Sequence, residues 1–368
     1  MRQTLLFAII FFSLWSTAWG QWNIITHGGR RYVSVRDVAS FYQLRLSPVS
    51  GGNSFNMSGS RRTLKGRAGE KSVYINGVKY ALCFPTISQR GTVLISAMDV
   101  TKIIEPVLRP GKIKNATQVR TVILDAGHGG HDSGATSRYG REKNFALDVA
   151  LRVRRLLLAR GYDVKMTRSR DIFIPLEKRS AYANRFRNAI FVSIHFNKGK
   201  RKGGTGLETF CLAPRGVPSM DDRSVTVNAL RAYPGHAKDA ENVLLATALH
   251  SNMLKFLRLP DRGVKRARFH VIRETRIPSV LVEGGFIDTD GRQISSPQYR
   301  QKMAQAIVNG IISFQRAVRG RLATIPPNIV ATGSDSTTAP AFPGVGSRTD
   351  ISEAVKNIKI QDKRKESP

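Results

Sequence analysis

The chain has 368 residues, of which 41% are hydrophobic, enough for one large core and a smaller second one. Its formal net charge of +33 predicts attraction to polyanions. The basic residues are spread through every segment, without a long run and without interleaved aromatic residues, so we expect no specific nucleic-acid site.

The first 20 residues have the pattern of a cleaved secretion signal. Arg2 precedes an apolar run over residues 5–15, and Ala18 and Gly20 give the small-x-small spacing that signal peptidase accepts. A membrane anchor is the alternative, but a span needs roughly 20 apolar residues and this run is little more than half that length. The pattern predicts export to the periplasm or to the extracellular, cell-wall-associated space, with no transmembrane segment after cleavage.

Export normally favours disulfide bonds, yet the chain has only two cysteines, Cys83 and Cys211. Both lie in apolar, strand-like stretches, which predicts two buried free thiols. A single bridge between them is the alternative.

Residues 22–108 are predicted to form a small α+β domain. The segment 32–39 (YVSVRDVA) is typical of a short strand running into a helix, and Asn76-Gly77 is a turn signal between two strands. Residues 32–38 and 91–96 resemble the copper amine oxidase N-terminal-like domain, an accessory domain of exported bacterial proteins. The stretch has no cluster of His, Cys or carboxylate residues, so this resemblance implies no metal. Residues 109–119 form a polar linker.

From residue 120 to 320 strands alternate with helices, which predicts an α/β fold with a mixed, mostly parallel sheet flanked by helices. The closing helix has Ser296 as its N-cap and Pro297 in its first turn. Residues 321–368 bury too little apolar surface to order themselves and are predicted to be a disordered tail. The predicted strands are 121–125, 162–168, 189–196, 206–213 and a strand-rich stretch 269–286, and the predicted helices are about 142–160, 176–187, 239–257 and 297–319.

Two of these strands lead into histidines. His128 lies in the glycine-rich loop 125–130 (DAGHGG) after the first strand, and His195 ends the strand 189–196. Both histidines therefore lie at carboxyl ends of strands, where α/β sheets bind their ligands. The loop lacks the Lys-Ser/Thr pair of a P-loop and the spacing of a dinucleotide loop.

Glu142 begins the first long helix, where it either complements the helix dipole or points back over the same crevice. Two histidines and one carboxylate are a ligand set of catalytic zinc. Glu283 follows the apolar strand residues 279–282, where a carboxylate is costly to bury without a partner. Deprotonating a zinc-bound water would give Glu283 a role as general base.

These segments resemble the catalytic domain of the zinc-dependent N-acetylmuramoyl-L-alanine amidases of the Amidase_3 type, over about residues 121–318. The resemblance implies a zinc amidase fold, phosphorylase/hydrolase-like, with His128, Glu142 and His195 as zinc ligands and Glu283 as the catalytic carboxylate. It rests on the segments 123–130, 140–143, 166–168 followed by Asp171, 176–184 with Arg179, 192–197, 261–265 and 282–286. Residues 288–290 (DTD) depart from the family, which usually has an Asn shortly after the Gly-Phe pair.

The implied reaction is hydrolysis of the amide bond between N-acetylmuramic acid and L-alanine in peptidoglycan. Glu283 is expected to take a proton from a zinc-activated water and to return it to the departing nitrogen. Peptidoglycan is the expected partner, and an activator protein is a candidate partner. Two rival functions stay open: a non-catalytic peptidoglycan-binding envelope protein, and a zinc peptidase that cuts the stem peptide. The chain has no HExxH motif that would support a peptidase.

Several other residues could be considered for the predicted zinc site, but the sequence supports them less well. His131 lies near His128 but adjoins a turn, so we do not expect it to be a ligand. Glu208 is interpreted either as a partner of a ligand histidine or as an exposed strand carboxylate. Residues 214–239 break the strand and helix periodicity, and their role as a lid over the site is left open. Surface or structural roles are expected for His236, His250 and His270.

Overall fold

The computed structural model describes residues 22–47, 53–199, 203–220, 222 and 224–320. The predicted signal (1–20) and the predicted tail (321–368) lie outside the described residues. Among the residues that are described, no helix has both the length and the hydrophobicity needed to cross a bilayer.

The described strands form three sheets. The strands before residue 109 are β1 (Ile24–His27), β2 (Arg30–Ser34), β3 (Arg45–Ser47), β4 (Ser54–Ser58), β5 (Thr63–Arg67), β6 (Ser72–Ile75), β7 (Val78–Ala81), β8 (Ile87–Gln89) and β9 (Thr92–Ser96). The strands after residue 119 are β10 (Thr121–Ala126), β11 (Thr136–Ser137), β12 (Gly140–Arg141), β13 (Asp163–Met166), β14 (Ala189–Asn197), β15 (Leu207–Leu212), β16 (Asp261–Ala267) and β17 (Ser279–Phe286).

The helices are α1 (Val35–Phe41), α2 (Ala97–Asp99), α3 (Glu105–Leu108), α4 (Glu142–Leu158), α5 (Leu176–Ala183), α6 (Val227–Leu230), α7 (Asp239–Leu257), α8 (His270–Arg273), α9 (Gly291–Ile294) and α10 (Pro297–Arg319). A π-helical segment, Val100–Ile104, joins α2 to α3, and single 3-10 turns lie at Pro110–Lys112 and Pro234–Lys238.

Four parallel strands form the centre of the large sheet, in the order β13-β10-β14-β17. Every residue of β10 is buried, as expected for a strand that is covered on both faces. Helices α4, α7 and α10 pack together on one face, and the smaller α5 and α8 cover the other. The predicted fold class, a mixed and mostly parallel sheet flanked by helices, is confirmed.

The sheet continues into the N-terminal part of the chain. Strand β16 pairs in parallel with β7, where the backbone N–H of Lys79 donates to Asp261 Oδ2 at 2.9 Å. The Tyr80 hydroxyl donates to Thr247 Oγ1, also at 2.9 Å. The predicted linker thus separates two parts of the chain that share one sheet of eleven strands, ordered β13-β10-β14-β17-β15-β16-β7-β6-β5-β4-β3. The predicted turn at Asn76-Gly77 joins β6 to β7 through positive φ angles of 51° and 81°.

The prediction of a strand-rich stretch at 269–286 is wrong for its first part, because His270–Arg273 is a helix. Strand β16 was not predicted, because four of its seven residues (DRGVKRA) are charged. The sequence therefore lacks the clear alternation of apolar and polar residues that is typical of a strand. Both cysteines are free and buried, as the leading prediction had it.

The segment 214–239 follows the C-terminal end of β15. Because β15 runs antiparallel to β17, this segment starts at the edge of the sheet opposite the carboxyl ends of β10, β14 and β17. There Gly235 packs against the carbonyl of Ile272. The described residues of this segment (214–220, 222 and 224–239) are therefore placed away from the crevice that a lid would have to cover.

Candidate active site

His128, Glu142 and His195 meet at the carboxyl ends of β10 and β14. Oε1 of Glu142 lies 3.1 Å from Nε2 of His128 and 2.8 Å from Nδ1 of His195. The two imidazole rings stand edge to face, with centroids 4.9 Å apart. One side-chain atom from each residue lies within 4.8 Å of the other two, close enough for all three to bind one metal ion.

The glycines around His128 permit this close approach. A Cβ at Gly127 would collide with the His195 ring, and a Cβ at Gly134 would lie 2.5 Å from His128 Cδ2 and 2.6 Å from Glu142 Oε2. His128 itself has a φ of 60°, in the left-handed region that non-glycine residues rarely adopt. The backbone of this loop is therefore specialised to turn the imidazole into the crevice.

Two buried arginines hold the backbone of this loop in place. Arg168 donates to the carbonyls of Ala126 and Gly127, and Arg179 donates to those of Ala126 and His128. Arg179 also forms an ion pair of 2.8 Å with Asp125, and both of these side chains are almost fully buried. Burial opposes ionisation of Asp125, but the charge of Arg179, together with the hydrogen bonds donated by Thr167 and Ser193, outweighs it and lowers the pKa of that carboxyl. The sequence placed Arg179 in a segment that resembles the family but gave it no role, because its partners in this loop lie more than fifty residues away.

Asp132 is a site residue that sequence reasoning missed. Its Oδ2 lies 2.8 Å from Nδ1 of His128, so a donated N–H there orients the ring and leaves Nε2 facing Glu142. The available signal was a carboxylate four residues after a histidine in a glycine-rich loop.

The electrostatics favour an ionised Glu142. Burial opposes its charge, but hydrogen bonds and charge from His128 and His195 outweigh the burial and hold the pKa of this carboxyl well below its usual range. Its Oε2 accepts from the backbone N–H of Ala135 at 2.8 Å. The buried carboxylate is thus stabilised from both oxygens.

Glu283 lies beside this cluster on β17, paired with His195 of β14 on one side and with Glu208 of β15 on the other. Its Oε2 is buried and has no hydrogen-bond partner among the described residues. Burial first, and then the charges of Glu142 and Glu208, raise the pKa of Glu283 well above its usual value, while Lys265 acts in the opposite direction. The site therefore holds a half-buried carboxyl group whose buried Oε2 has no partner among the described residues.

Glu208 is neither an exposed carboxylate nor a direct partner of a ligand histidine. It is buried and accepts from Asn197, Arg262 and Lys265, with the lysine Nζ 2.5 Å from Oε1. Both interpretations considered from sequence are corrected, since the strand turns this side chain towards basic residues of β16. It balances the positive charge next to Glu283.

The remaining histidines lie outside the cluster. His131 stacks on Phe173, with ring centroids 4.2 Å apart. His250 is fully buried between Thr209 and Asp261, and His236 contacts the carbonyl of Ala213. His270 lies in the short helix α8. The expectation of surface or structural roles for the last three agrees with these contacts.

In the loop where the sequence departs from the family, Asp290 accepts from the Thr205 hydroxyl and from the backbone N–H groups of Gly206 and Phe286. An aspartate thus closes the loop beside Glu283.

Residues 122–313 match the Amidase_3 family, described as N-acetylmuramoyl-L-alanine amidase. The chain belongs to this family. The amidase match leaves residues 22–108 outside it, so their resemblance to the copper amine oxidase N-terminal-like domain stays a prediction.

Named amidases are similar to this chain over about half of its length. It is 34% identical to the N-acetylmuramoyl-L-alanine amidase AmiA of Salmonella typhimurium over 227 residues, 55% of this chain and 78% of AmiA. The solved amidase AmiC2 of Nostoc punctiforme is 31% identical, with a TM-score of 0.44, over 55% of this chain and 99% of that one. The CwlD amidase of Clostridioides difficile, solved in complex with the GerS lipoprotein, is 25% identical, with a TM-score of 0.44, over 53% of this chain and 98% of that one.

Proposed function

We propose that this chain is an exported zinc enzyme that hydrolyses the amide bond between N-acetylmuramic acid and L-alanine in peptidoglycan. The observation that carries the proposal is the cluster of His128, Glu142 and His195 beside the unpartnered carboxyl oxygen of Glu283. Membership of the amidase family supports the bond that is cut. The signal pattern in residues 1–20 supports export, peptidoglycan is the proposed partner, and an activator protein is a further candidate.

The donor set fits zinc. Two imidazoles and one carboxylate are a usual ligand set of catalytic zinc, and three protein ligands leave a coordination position open. His128 would bind through Nε2, because its Nδ1 faces Asp132. When bound, zinc would polarise the substrate carbonyl and lower the pKa of water.

Residues of the chain itself transfer the proton from the attacking water to the leaving group. Oε2 of Glu283 has no competing partner among the described residues, so it is available to accept a proton from the attacking water. The same oxygen then delivers that proton to the departing L-alanine nitrogen. Arg179 and Arg168 hold the loop carbonyls, so that His128 keeps its place while the proton moves.

Replacing each proposed ligand tests the metal centre. H128A, E142A and H195A are each expected to lower zinc content from about one equivalent per chain towards zero and to abolish hydrolysis, because three protein ligands hold a catalytic zinc. Metal analysis of the purified proteins and loss of turbidity of wall sacculi are the measurements, with H131A as the control. Full zinc content in the three variants, or equal loss in H131A, would contradict the ligand assignment.

Analysis of the released fragments by mass spectrometry tests the bond that is cut. An amidase leaves intact muramic acid on one product and a free L-alanine amine on the other. Cleavage within the stem peptide would identify a peptidase instead. Sacculi that bind the protein but stay intact would identify a non-catalytic binder.

Gly134→Ala is expected to weaken zinc binding by about 10- to 100-fold, the usual effect of disturbing groups around a metal ligand. The added Cβ would press on both His128 and Glu142. Gly161→Ala is the matched control, since Gly161 also has a positive φ, +78°, but its Cβ would meet nothing within 4 Å. Zinc affinity is measured by competition with a chelator. An equal loss in the two variants would trace the effect to backbone strain alone.

A further inference from the structure

A basic surface lies at the end of the molecule opposite the candidate active site. The parallel strands β10, β13, β14 and β17 present His128, His195 and Glu283 at or just beyond their carboxyl ends, so their amino ends all lie on the other side. Exposed arginines come shortly before each of these strands: Arg120 before β10, Arg160 before β13, Arg187 before β14 and Arg276 before β17. The strand register places Thr121, Asp163 and Ala189 side by side at this end.

The helices α4 and α10 bring further basic residues to the same end. Helix α4 begins at Glu142 in the active site and has 17 residues, so its last residue lies about 25 Å away along the helix axis. Helix α10 ends beside it with Arg316 and Arg319, which are exposed. Burial raises the pKa of the Tyr162 phenol, and the charges of Arg319, Arg160 and Arg316 oppose this rise, so all three arginines lie near this side chain.

Four members of this surface lack partners within the described part of the chain. No ion pair or side-chain hydrogen bond with a described residue engages Arg120, Arg187, Arg316 or Arg319. The acidic side chains nearby are already occupied: Asp163 is paired with Lys165 at 2.9 Å, and Glu274 with Arg273 at 3.0 Å. The positive charge at this end is therefore available to an external anion.

We propose that this basic end, defined by Arg120, Arg160, Arg187, Arg276, Arg316 and Arg319, docks on an anionic phospholipid bilayer. The arginines are spread over the ends of four strands and two helices rather than lining a groove, which suits a planar charged surface. Leu158, at the end of α4, is 47% exposed among them and supplies an apolar contact at the lipid interface.

The position of the surface also favours a bilayer over a polymer of the wall. An anionic polymer attached to the substrate would be met most directly at the end that carries Glu283 and the histidines. A basic surface at the opposite end would instead hold the protein on the bilayer, with the candidate active site facing away from the lipid. The amidase would thus be anchored on the membrane with its active site turned towards the wall.

The test is cosedimentation of the full chain with vesicles of phosphatidylcholine, with and without phosphatidylglycerol. Binding is expected only with phosphatidylglycerol and is expected to weaken as salt is added. The quadruple variant R120Q/R187Q/R316Q/R319Q is expected to bind about 50-fold or more weakly, since each basic residue near an anionic surface contributes several-fold. The control R45Q/R61Q/K65Q/K71Q removes the same charge from exposed positions in or next to strands β3–β6 and is expected to bind nearly as the parent does.

The orientation of the bound protein on the vesicle surface provides a second test. A tryptophan in L158W is expected to be quenched by brominated lipid, and one in F173W, near the loop of His128, is not. Equal losses in the two quadruple variants, or binding to a soluble polyphosphate without binding to vesicles, would overturn the proposal. Hydrolysis of a soluble peptidoglycan fragment by the R120Q/R187Q/R316Q/R319Q variant is measured separately, so failure of membrane docking is distinguishable from failure of the proposed enzyme function.

Discussion

Glu283→Gln is expected to lower kcat/KM for peptidoglycan hydrolysis by about 10²- to 10⁴-fold, the usual contribution of a general acid-base residue. Glutamine keeps the size of the side chain but can neither accept nor return the proton. Because Glu283 lies next to the cluster and outside it, zinc content is expected to stay at the level of the parent.

The measurements for Glu283→Gln are the rate of release of stem peptide from sacculi and the zinc content of the same preparation. Glu177→Gln, at an exposed position on α5, is the matched control and is expected to keep full activity. A glutamine variant that digests sacculi at the parent's rate would refute the role of Glu283. Loss of zinc together with activity would instead make Glu283 a ligand.

Arg179→Met is expected to destabilise the protein by about 3 to 5 kcal/mol at neutral pH, since it leaves the buried carboxylate of Asp125 without its counter-ion. The loop carbonyls of Ala126 and His128 lose their donor as well, so activity is expected to fall with stability. Urea unfolding of the two proteins at matched zinc content measures the difference.

The pH dependence of this stability loss tests whether the unpaired charge of Asp125 causes it. The pKa of Asp125 is lowered in the folded protein, so its stabilisation is fully present above the usual pKa of an aspartate, about 3.9, and is lost as the pH falls through the folded value. Without Arg179, burial raises the pKa of Asp125, so protonation removes the uncompensated charge as the pH falls towards the usual aspartate pKa of about 3.9. The difference in stability between variant and parent is therefore expected to narrow steadily with falling pH. Arg152→Met breaks the more exposed pair with Asp148 and is expected to cost less than about 1 kcal/mol. A gap that does not change with pH would assign the effect to packing.

Local patterns were sufficient to predict the elements that present the site. The apolar run of β10 and that of β14 each lead into a histidine, and α7 spans 239–257 in the structure as it does in the prediction. The crevice could be placed because parallel strands bring their carboxyl ends to one edge.

Long-range contacts account for what the sequence did not show. Arg179 reaches His128 across 51 positions, and nothing in its own neighbourhood indicates that contact. Pairing of β7 with β16 joins segments far apart in the chain, and the charged side chains of β16 obscure the strand. Asp132 was near enough to be noticed, yet only the coordinates show which nitrogen of His128 it faces.

The shared sheet fixes strands β3–β7 rigidly to the part of the chain that carries the candidate active site. Seven inter-strand steps separate β17, which carries Glu283, from the edge strand β3, a distance of about 34 Å along the sheet at the usual strand spacing. Hydrogen-bonded strands cannot swivel as two domains on a flexible tether can. A ligand bound at strand β3 would therefore be held at a fixed distance from Glu283. The sheet would set the spacing between a bound part of the substrate and the bond that is cut.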